Sequence, residues 1–343
     1  MKADVVVIGG GPAGAATAIA CRRLGLHVII LEALEFPRAR PGESLPPAVE
    51  PLLQHWGVES VLREYSWSRY EGIWSSWDGS MGFQRLGSDE RGQWRGWHLP
   101  RGEFDMRLLE QACFLGAVLL QPCRALSVAI REGKIVGLQT SEGAIEAKFV
   151  VDASGGRHWL AGKLGLGVKK VSPLLLARFG YSKIGSLSVK ANPVLQTDDM
   201  GWTWMTPIDK DRLAWTRMRF DGTLEAAGWS PGECGYDEGN EGNSLSADVT
   251  WRCVERSMGP GYCCVGDAAV VLDPLSSHGV LRALMSGFMA GQTIAKGGVR
   301  RAGKEKLFSE YRNWLSEWFQ RDSFELKTLY RRLPNVASWL ASA

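Results

Sequence analysis

Val5-Val6-Val7-Ile8 runs without a break into Gly9-Gly10-Gly11-Pro12-Ala13-Gly14, and an acidic residue, Glu32, closes the next apolar run. Each part of that spacing has a chemical use. Gly9 permits a tight turn out of a buried strand, Gly11 lets the backbone approach a pyrophosphate that a side chain would block, and Gly14 lets the following helix pack against the sheet. The phosphates would then meet the free N–H groups and positive dipole end of a helix opening at Pro12 and Ala13. Glu32 falls where a carboxylate accepts hydrogen bonds from a ribose diol. Strand, glycines, helix, strand and terminal acid in this order predict a dinucleotide site. A single glycine set does not distinguish NAD from FAD.

The elements that must hold this site follow from the pattern downstream. Residues 15–24 are small and apolar, with Arg22 and Arg23 in the last turn and Gly25 as a helix stop. A proline-punctuated loop from Phe36 to Pro47 leads to a short helix over 48–56. Residues 65–100 alternate aromatic and polar residues among repeated glycines, which reads as antiparallel strands. A helix follows from Arg101, and strands then lead to Val150-Val151-Asp152-Ala153-Ser154-Gly155-Gly156-Arg157. Residues 171–255 again read as strands and turns, broken by a Gly- and acid-rich loop over 230–243. A strand from Tyr262 runs into Gly266-Asp267-Ala268-Ala269, and Leu272-Asp273-Pro274-Leu275-Ser276-Ser277-His278-Gly279 opens a long helix. Its Ala283, Ser286, Gly287, Ala290 and Gly291 are small enough for close packing.

Composition narrows the class. The chain has 343 residues, 45% of them hydrophobic and 22% charged, with a formal net charge of +3, which speaks for a globular protein and against nucleic acid as the main partner. No apolar run approaches the length of a membrane span, and the first strand begins by residue 4, so neither membrane nor secretion is expected and the predicted location is cytoplasmic. The seven cysteines are scattered and odd in number, so no metal site and no disulfide framework is expected. Of fifteen tryptophans, most crowd three stretches: Trp67, Trp74, Trp77, Trp94 and Trp97; Trp202, Trp204 and Trp215; Trp314, Trp318 and Trp339. The last group is predicted to fill a core, and the first two to line an aromatic-walled cavity on a sheet face.

Four separated motifs resemble the flavoprotein monooxygenase and flavin-dependent halogenase superfamily, with the para-hydroxybenzoate hydroxylase type of fold: the glycine turn, Arg40-Pro41-Gly42-Glu43-Ser44-Leu45-Pro46-Pro47, the segment ending in Asp152 to Arg157, and Gly266 to Gly279. The resemblance implies an α/β fold with a Rossmann-type FAD-binding domain (1–65, 101–165 and 256–300), an interleaved β-sheet substrate domain (66–100 and 166–255) and C-terminal helices (301–343). It also implies non-covalent FAD. Glu32 would bind the adenosine ribose, Arg101 would lie near the pyrophosphate and ribityl chain, and Asp267 in the Gly266 turn would bond the ribityl hydroxyls. Arg40, Glu43, Ser44, Asp152 and Gly155 would flank the cofactor. Pro274 would line the isoalloxazine, and the helix opening at Gly279 and Val280 would aim its N–H groups at the ring, stabilising the anionic reduced flavin.

A fifth motif, Gly201-Trp202-Thr203-Trp204-Met205-Thr206-Pro207, resembles the tryptophan-containing signature of the halogenases, in which Ile is usual where Thr206 stands. Two departures argue for other chemistry. Halogenases of this kind carry a relay lysine after the Glu43-Ser44-Leu45 loop, whereas no lysine lies between Lys2 and Lys134, and a permanently protonated arginine is no substitute. Tryptophan halogenases also have Glu where Ser276 stands. The segment Ser277 to Gly287 is similar to the flavoproteins that mature cysteine tryptophylquinone in amino-acid and amine oxidases. That similarity implies a monooxygenase hydroxylating tryptophan of a partner protein, with O2 and a separate flavin reductase or NAD(P)H. Two readings stay beside it: a halogenase or hydroxylase of a free aromatic or indole metabolite, and a non-catalytic flavin-binding chaperone. The candidate catalytic residues are His278, for proton or oxygen handling, with Trp202 and Trp204 as pocket walls; the alternative for His278 is a helix-cap neighbour bonded to backbone.

Overall fold

In a computed structural model, the described residues are 1–38, 40–63, 68–77, 79–183, 192–209, 211–226, 228–231, 244–298 and 305–333. Trp67, Trp339, Cys234 and most of the 230–243 loop therefore lie outside them.

The apolar runs at the start of the chain form the centre of a mixed sheet. Strand β1 (Lys2–Ile8) lies between β2 (Val28–Leu31) and the long strand Gly143–Asp152, parallel to both, and Val118–Leu120 extends the parallel set beyond β2. Tyr262–Cys264 pairs in parallel with the far half of Gly143–Asp152, while Lys134–Thr140 pairs antiparallel with its near half. The register sets Ile8 opposite both Leu31 and Asp152. The carboxyl ends of the strands that precede the glycine turn, Glu32 and Ser154 thus meet at one edge, the crevice in which sheets of this kind bind ligands. Val5, Val6 and Val7 are wholly buried, as a strand covered on both faces requires.

Helix α1 (Pro12–Arg23) packs on the sheet and against the helix Gly279–Thr293. The small residues make this crossing possible: a Cβ at Gly287 would lie 2.3 Å from the Ala13 carbonyl oxygen, and one at Gly291 would lie 2.5 Å from Ala20 Cβ. At the first turn, a Cβ at Gly14 would stand 1.9 Å from the Gly9 carbonyl oxygen.

The two inserted stretches share one seven-stranded sheet, ordered Leu245–Asp248, Leu176–Lys183, Arg212–Arg219, Gly201–Pro207, Val194–Asp198, Gly72–Ser76, Met81–Arg85. The single parallel pairing, Val194 opposite Trp74, joins the early insertion to the late one. The C-terminal helix Glu305–Tyr330 buries Phe308, Tyr311, Leu315, Phe319, Leu326 and Tyr330 along one stripe. Among the described residues, no helix is long and apolar enough to cross a membrane.

Replacing Gly287 by Ala forces backbone apart at the helix crossing. Chemical denaturation of the variant is expected to show a loss of about 1–3 kcal/mol, the usual cost of overpacking. Gly162→Ala, where a Cβ meets nothing within 4 Å, is the control and should leave stability near that of the parent.

Candidate active site

The glycine turn, the proline loop and the start of the Gly279–Thr293 helix converge. Arg101 grips Asp105 through two hydrogen bonds (2.9 and 3.0 Å) and donates Nη1 to the Pro41 carbonyl at 2.7 Å. Gly42 consequently sits between Arg101 and Val280. Burial works against the Arg101 charge, but Asp105, Glu43 and Asp267 more than restore it. Glu43 accepts from the Gly42 N–H and from the Tyr181 hydroxyl at 2.7 Å, and its burial raises its pKa despite those bonds. Arg101 and Glu43 therefore shape the loop that carries Ser44; Arg40 is exposed beside it.

Glu32 is buried and accepts from the Gly10 N–H (2.8 Å) and the Leu34 N–H (2.9 Å), with Arg38 at 3.5 Å. Asp152 is wholly buried, and both carboxylate oxygens are taken by backbone, from Ser154 and Leu160. It acts by holding the turn that presents Ser154 and Gly155, where the sequence suggested direct contact with the cofactor. Behind that turn, His158 faces the Ala268 carbonyl through Nδ1 (2.9 Å) and receives Arg252 Nε on Nε2 (2.8 Å). A carbonyl only accepts and Arg252 only donates, so the ring is neutral with its proton on Nδ1. Burial lowers its pKa accordingly.

The crevice has the features FAD requires. Ser44 Oγ, Ser154 Oγ and Arg38 Nε are buried with no hydrogen-bond partner. A Cβ at Gly11 would meet only the tip of Arg38 at 3.4 Å, and one at Gly155 or Gly279 would meet nothing within 4 Å. Asp267 is exposed on the turn Gly266–Ala268 next to the packed helices. Unfilled donors, an accessible carboxylate and open glycine faces, set around a helix N-terminus, match a dinucleotide with a ribityl chain. Gly9, Gly11, Pro12, Ala13, Gly14 and Glu32 would hold the pyrophosphate and adenosine end. Ser44, Gly266, Asp267, Pro274, Gly279 and Val280 would lie toward the flavin end.

The loop after Asp267 is anchored by a buried polar network. Asp273, with no exposure, caps Leu275 (3.0 Å) through one oxygen and accepts from Trp251 Nε1 (2.7 Å) and Tyr330 Oη (2.8 Å) through the other. Tyr330 in turn accepts from Trp202 Nε1 at 3.0 Å. Burial pushes the Asp273 pKa up to about 6. Trp202 is therefore a strut within the core and not a pocket wall, and Trp204, on the same strand face, is half-buried against that core. Trp215 packs on the opposite face with Met205 and Leu213. The aromatic-walled cavity expected from these tryptophans gives way to packing, because alternation reveals two faces of a strand but not which of them is wet.

His278 precedes the helix at Gly279, and its ring bonds no backbone group; Nδ1 lies 3.2 Å from Asp322 Oδ2 on the C-terminal helix. Asp322 was not singled out from the sequence. Its signal was a charge standing in the apolar stripe between Phe319 and Leu326. Thr206, the departure from the halogenase signature, pairs its hydroxyl with buried His98 at 2.7 Å. Arg69, where the relay lysine would be sought, is committed to the Gly96 and Arg95 carbonyls and to Glu50, with its guanidinium 3.9 Å over Trp97.

Fold and crevice together define a FAD-dependent oxidoreductase, and residues 4–39 match the FAD dependent oxidoreductase family. Residues 80–289 match the tryptophan halogenase family, and the chain belongs to that family. It is 29% identical to a 1H-pyrrole-2-carbonyl-[peptidyl-carrier protein] chlorinase of Pseudomonas fluorescens, over 96% of this chain and 84% of that protein. It is 26% identical to a tryptophan 2-halogenase of Chondromyces crocatus, over 84% of this chain and 60% of the other. Two solved structures share the fold: the flavin-dependent brominase Bmp2 (TM-score 0.80, 24% identity, 96% and 87% of the two chains) and PqsL of Pseudomonas aeruginosa, described as a probable FAD-dependent monooxygenase (TM-score 0.81, 17% identity, 100% and 99%).

Gly11→Val fills the one face of the turn that is open and should yield colourless protein with normal secondary structure by circular dichroism. Asp273 gives a pH prediction with a definite sign. Its folded pKa, about 6, is above the unfolded carboxylate value, so its contribution to stability is full below about 4 and is lost as pH rises through about 6. Melting temperatures of parent and Asp273→Asn should therefore differ by a margin that changes between pH 4 and 7. Tyr330→Phe leaves Trp202 Nε1 without its acceptor and takes one donor from Asp273, and should cost about 1–3 kcal/mol at pH 4 and more at pH 7, where the Asp273 carboxylate is ionised.

Proposed function

We propose that this chain uses FAD to modify an electron-rich aromatic small molecule of the indole or pyrrole class, in the manner of the flavin-dependent halogenases. The observation that carries the reading is its membership of the tryptophan halogenase family across 80–289 together with relatives that act on pyrrole and tryptophan. Reduced flavin with O2 supplies the two-electron oxidising equivalent, and an electron-rich ring accepts an electrophile without prior activation. The residues of this chain orient and enclose: Arg101 and Glu43 hold the proline loop against Val280, the Asp273 network fixes Pro274, and His278 is the proton-handling group beside them. Reduced flavin would come from a separate reductase or from transient NAD(P)H, since the sequence has no second glycine fingerprint.

One observation favours a second reading. No lysine stands between Lys2 and Lys134, and Arg69 is bound into the structure by four partners. A flavoprotein without a relay amine would deliver the oxidising equivalent as oxygen, which would suit hydroxylation of an indole, including a tryptophan of a partner protein as in tryptophylquinone maturation. A flavin-binding chaperone without turnover is the remaining alternative.

The enzyme, a flavin reductase, NADH and bromide are incubated with tryptophan, with pyrrole-2-carbonyl carrier protein and with a tryptophylquinone oxidase precursor, and the products are weighed. A bromine isotope doublet on a small aromatic supports the leading reading. A gain of one or more oxygens on precursor tryptophan, with no doublet anywhere, replaces it with the second, and unchanged substrates with reoxidised flavin refute both.

A further inference from the structure

A charge in the middle of an apolar helix stripe needs a reason. Asp322 has a side-chain exposure of 0% and sits between Phe319 and Leu326, on a stripe where packing alone calls for an apolar residue. Its surroundings on the other helix are specific. His278 Nδ1 is 3.2 Å from Oδ2, and Arg282, one turn further along the same helix, is 3.5 Å from that oxygen. Arg282 is itself 1% exposed, and its Nε and Nη1 make no hydrogen bond. Arg321 lies 3.7 Å from Oδ1. The carboxylate is thus shared by the imidazole, the buried Arg282 and the exposed Arg321. Glu325 stands beside the pair, its ligand atom and those of His278 and Asp322 all lying within 4.8 Å of one another.

We infer that Asp322 is a positioning residue for His278. An ionised carboxylate only accepts, so the Nδ1 proton points to Asp322 and the neutral ring is held as the Nδ1–H tautomer. Nε2 is then left with its lone pair, and the half-exposed ring lines a small pocket with Ser276, Glu325 and Leu329, one loop away from Pro274. Resting on the function proposed above, the role is explicit. When the aromatic carbon has bonded to the electrophile, its C–H bond breaks, the bonding pair returns to the ring, and Nε2 takes the proton. The imidazolium so formed is stabilised by Asp322 and passes the proton to water in the pocket. His278 is the catalytic base; Asp322 orients it and compensates its charge.

The test reads the ring directly. Protein carrying 15N-labelled histidine is examined by long-range 1H–15N correlation at alkaline pH, with the His278 signals identified by their loss in His278→Gln. The parent should show the Nδ1–H tautomer, and Asp322→Asn should move His278 to the Nε2–H tautomer or a mixture while lowering kcat about 10- to 100-fold with KM within about twofold. Asp322→Glu should restore part of both. Because Asp322→Asn strands Arg282, the double variant Arg282→Met/Asp322→Asn serves if the single one does not fold, with the same tautomer change expected. A parent ring in the Nε2–H form, or one indifferent to either variant, overturns the inference even if aromatic product forms. A tautomer that follows Asp322 in a protein that modifies no aromatic leaves the dyad standing and removes the function assigned to it.

Discussion

The arrangement around the crevice depends on one buried carboxylate. Asp273 has no access to water, yet it takes three donors from three places: the Leu275 N–H in its own loop, Trp251 beside the seven-stranded sheet, and Tyr330 at the end of the C-terminal helix. Burial of such a group is tolerated only when its lone pairs are filled. The loop from Pro274 to His278 is in consequence tied at once to the dinucleotide-binding half, to the second sheet through Trp202, and to the helix that carries Asp322. A loop of this kind would otherwise be free to move, and the flavin edge and His278 would lose their fixed relation.

A comparable logic operates at the other end of the crevice. Arg101 is a buried cation neutralised by Asp105, and its Nη1 donates to the Pro41 carbonyl. His158, kept neutral by burial, joins the Asp152 turn to Ala268, and Arg252 closes that link. Each tie is made by a polar group with every partner supplied by protein. Beside the cradle, Ser44 Oγ, Ser154 Oγ and Arg38 Nε are buried without a hydrogen-bond partner.

Much of this was legible in the chain itself. The glycine spacing, Glu32 at a strand end and the small residues from Ala283 to Gly291 each follow from local sterics, and their partners lie at the positions that the α/β pattern dictates. What was not legible depended on contacts between residues far apart in sequence. Trp202 and Tyr330 are 128 positions apart, and His278 and Asp322 are 44 apart; no local period connects them. The tryptophans were misread for the same reason. Their alternation along Gly201–Pro207 marked two faces correctly, but the burial of one face is decided by the C-terminal helix, which packs Tyr330 against it. Asp322 alone left a trace, as a charged residue at an apolar helical position.

FAD is expected along the edge formed by β1, β2 and Gly143–Asp152, with its ring at the loop that Asp273 anchors. A crystal structure of the chain grown with FAD tests it most directly. The pyrophosphate should lie over Gly11 and the start of α1, and the isoalloxazine against Pro274 and the N–H groups at Gly279. Density for the flavin elsewhere, or a crevice filled by rearranged side chains under saturating FAD, would contradict it.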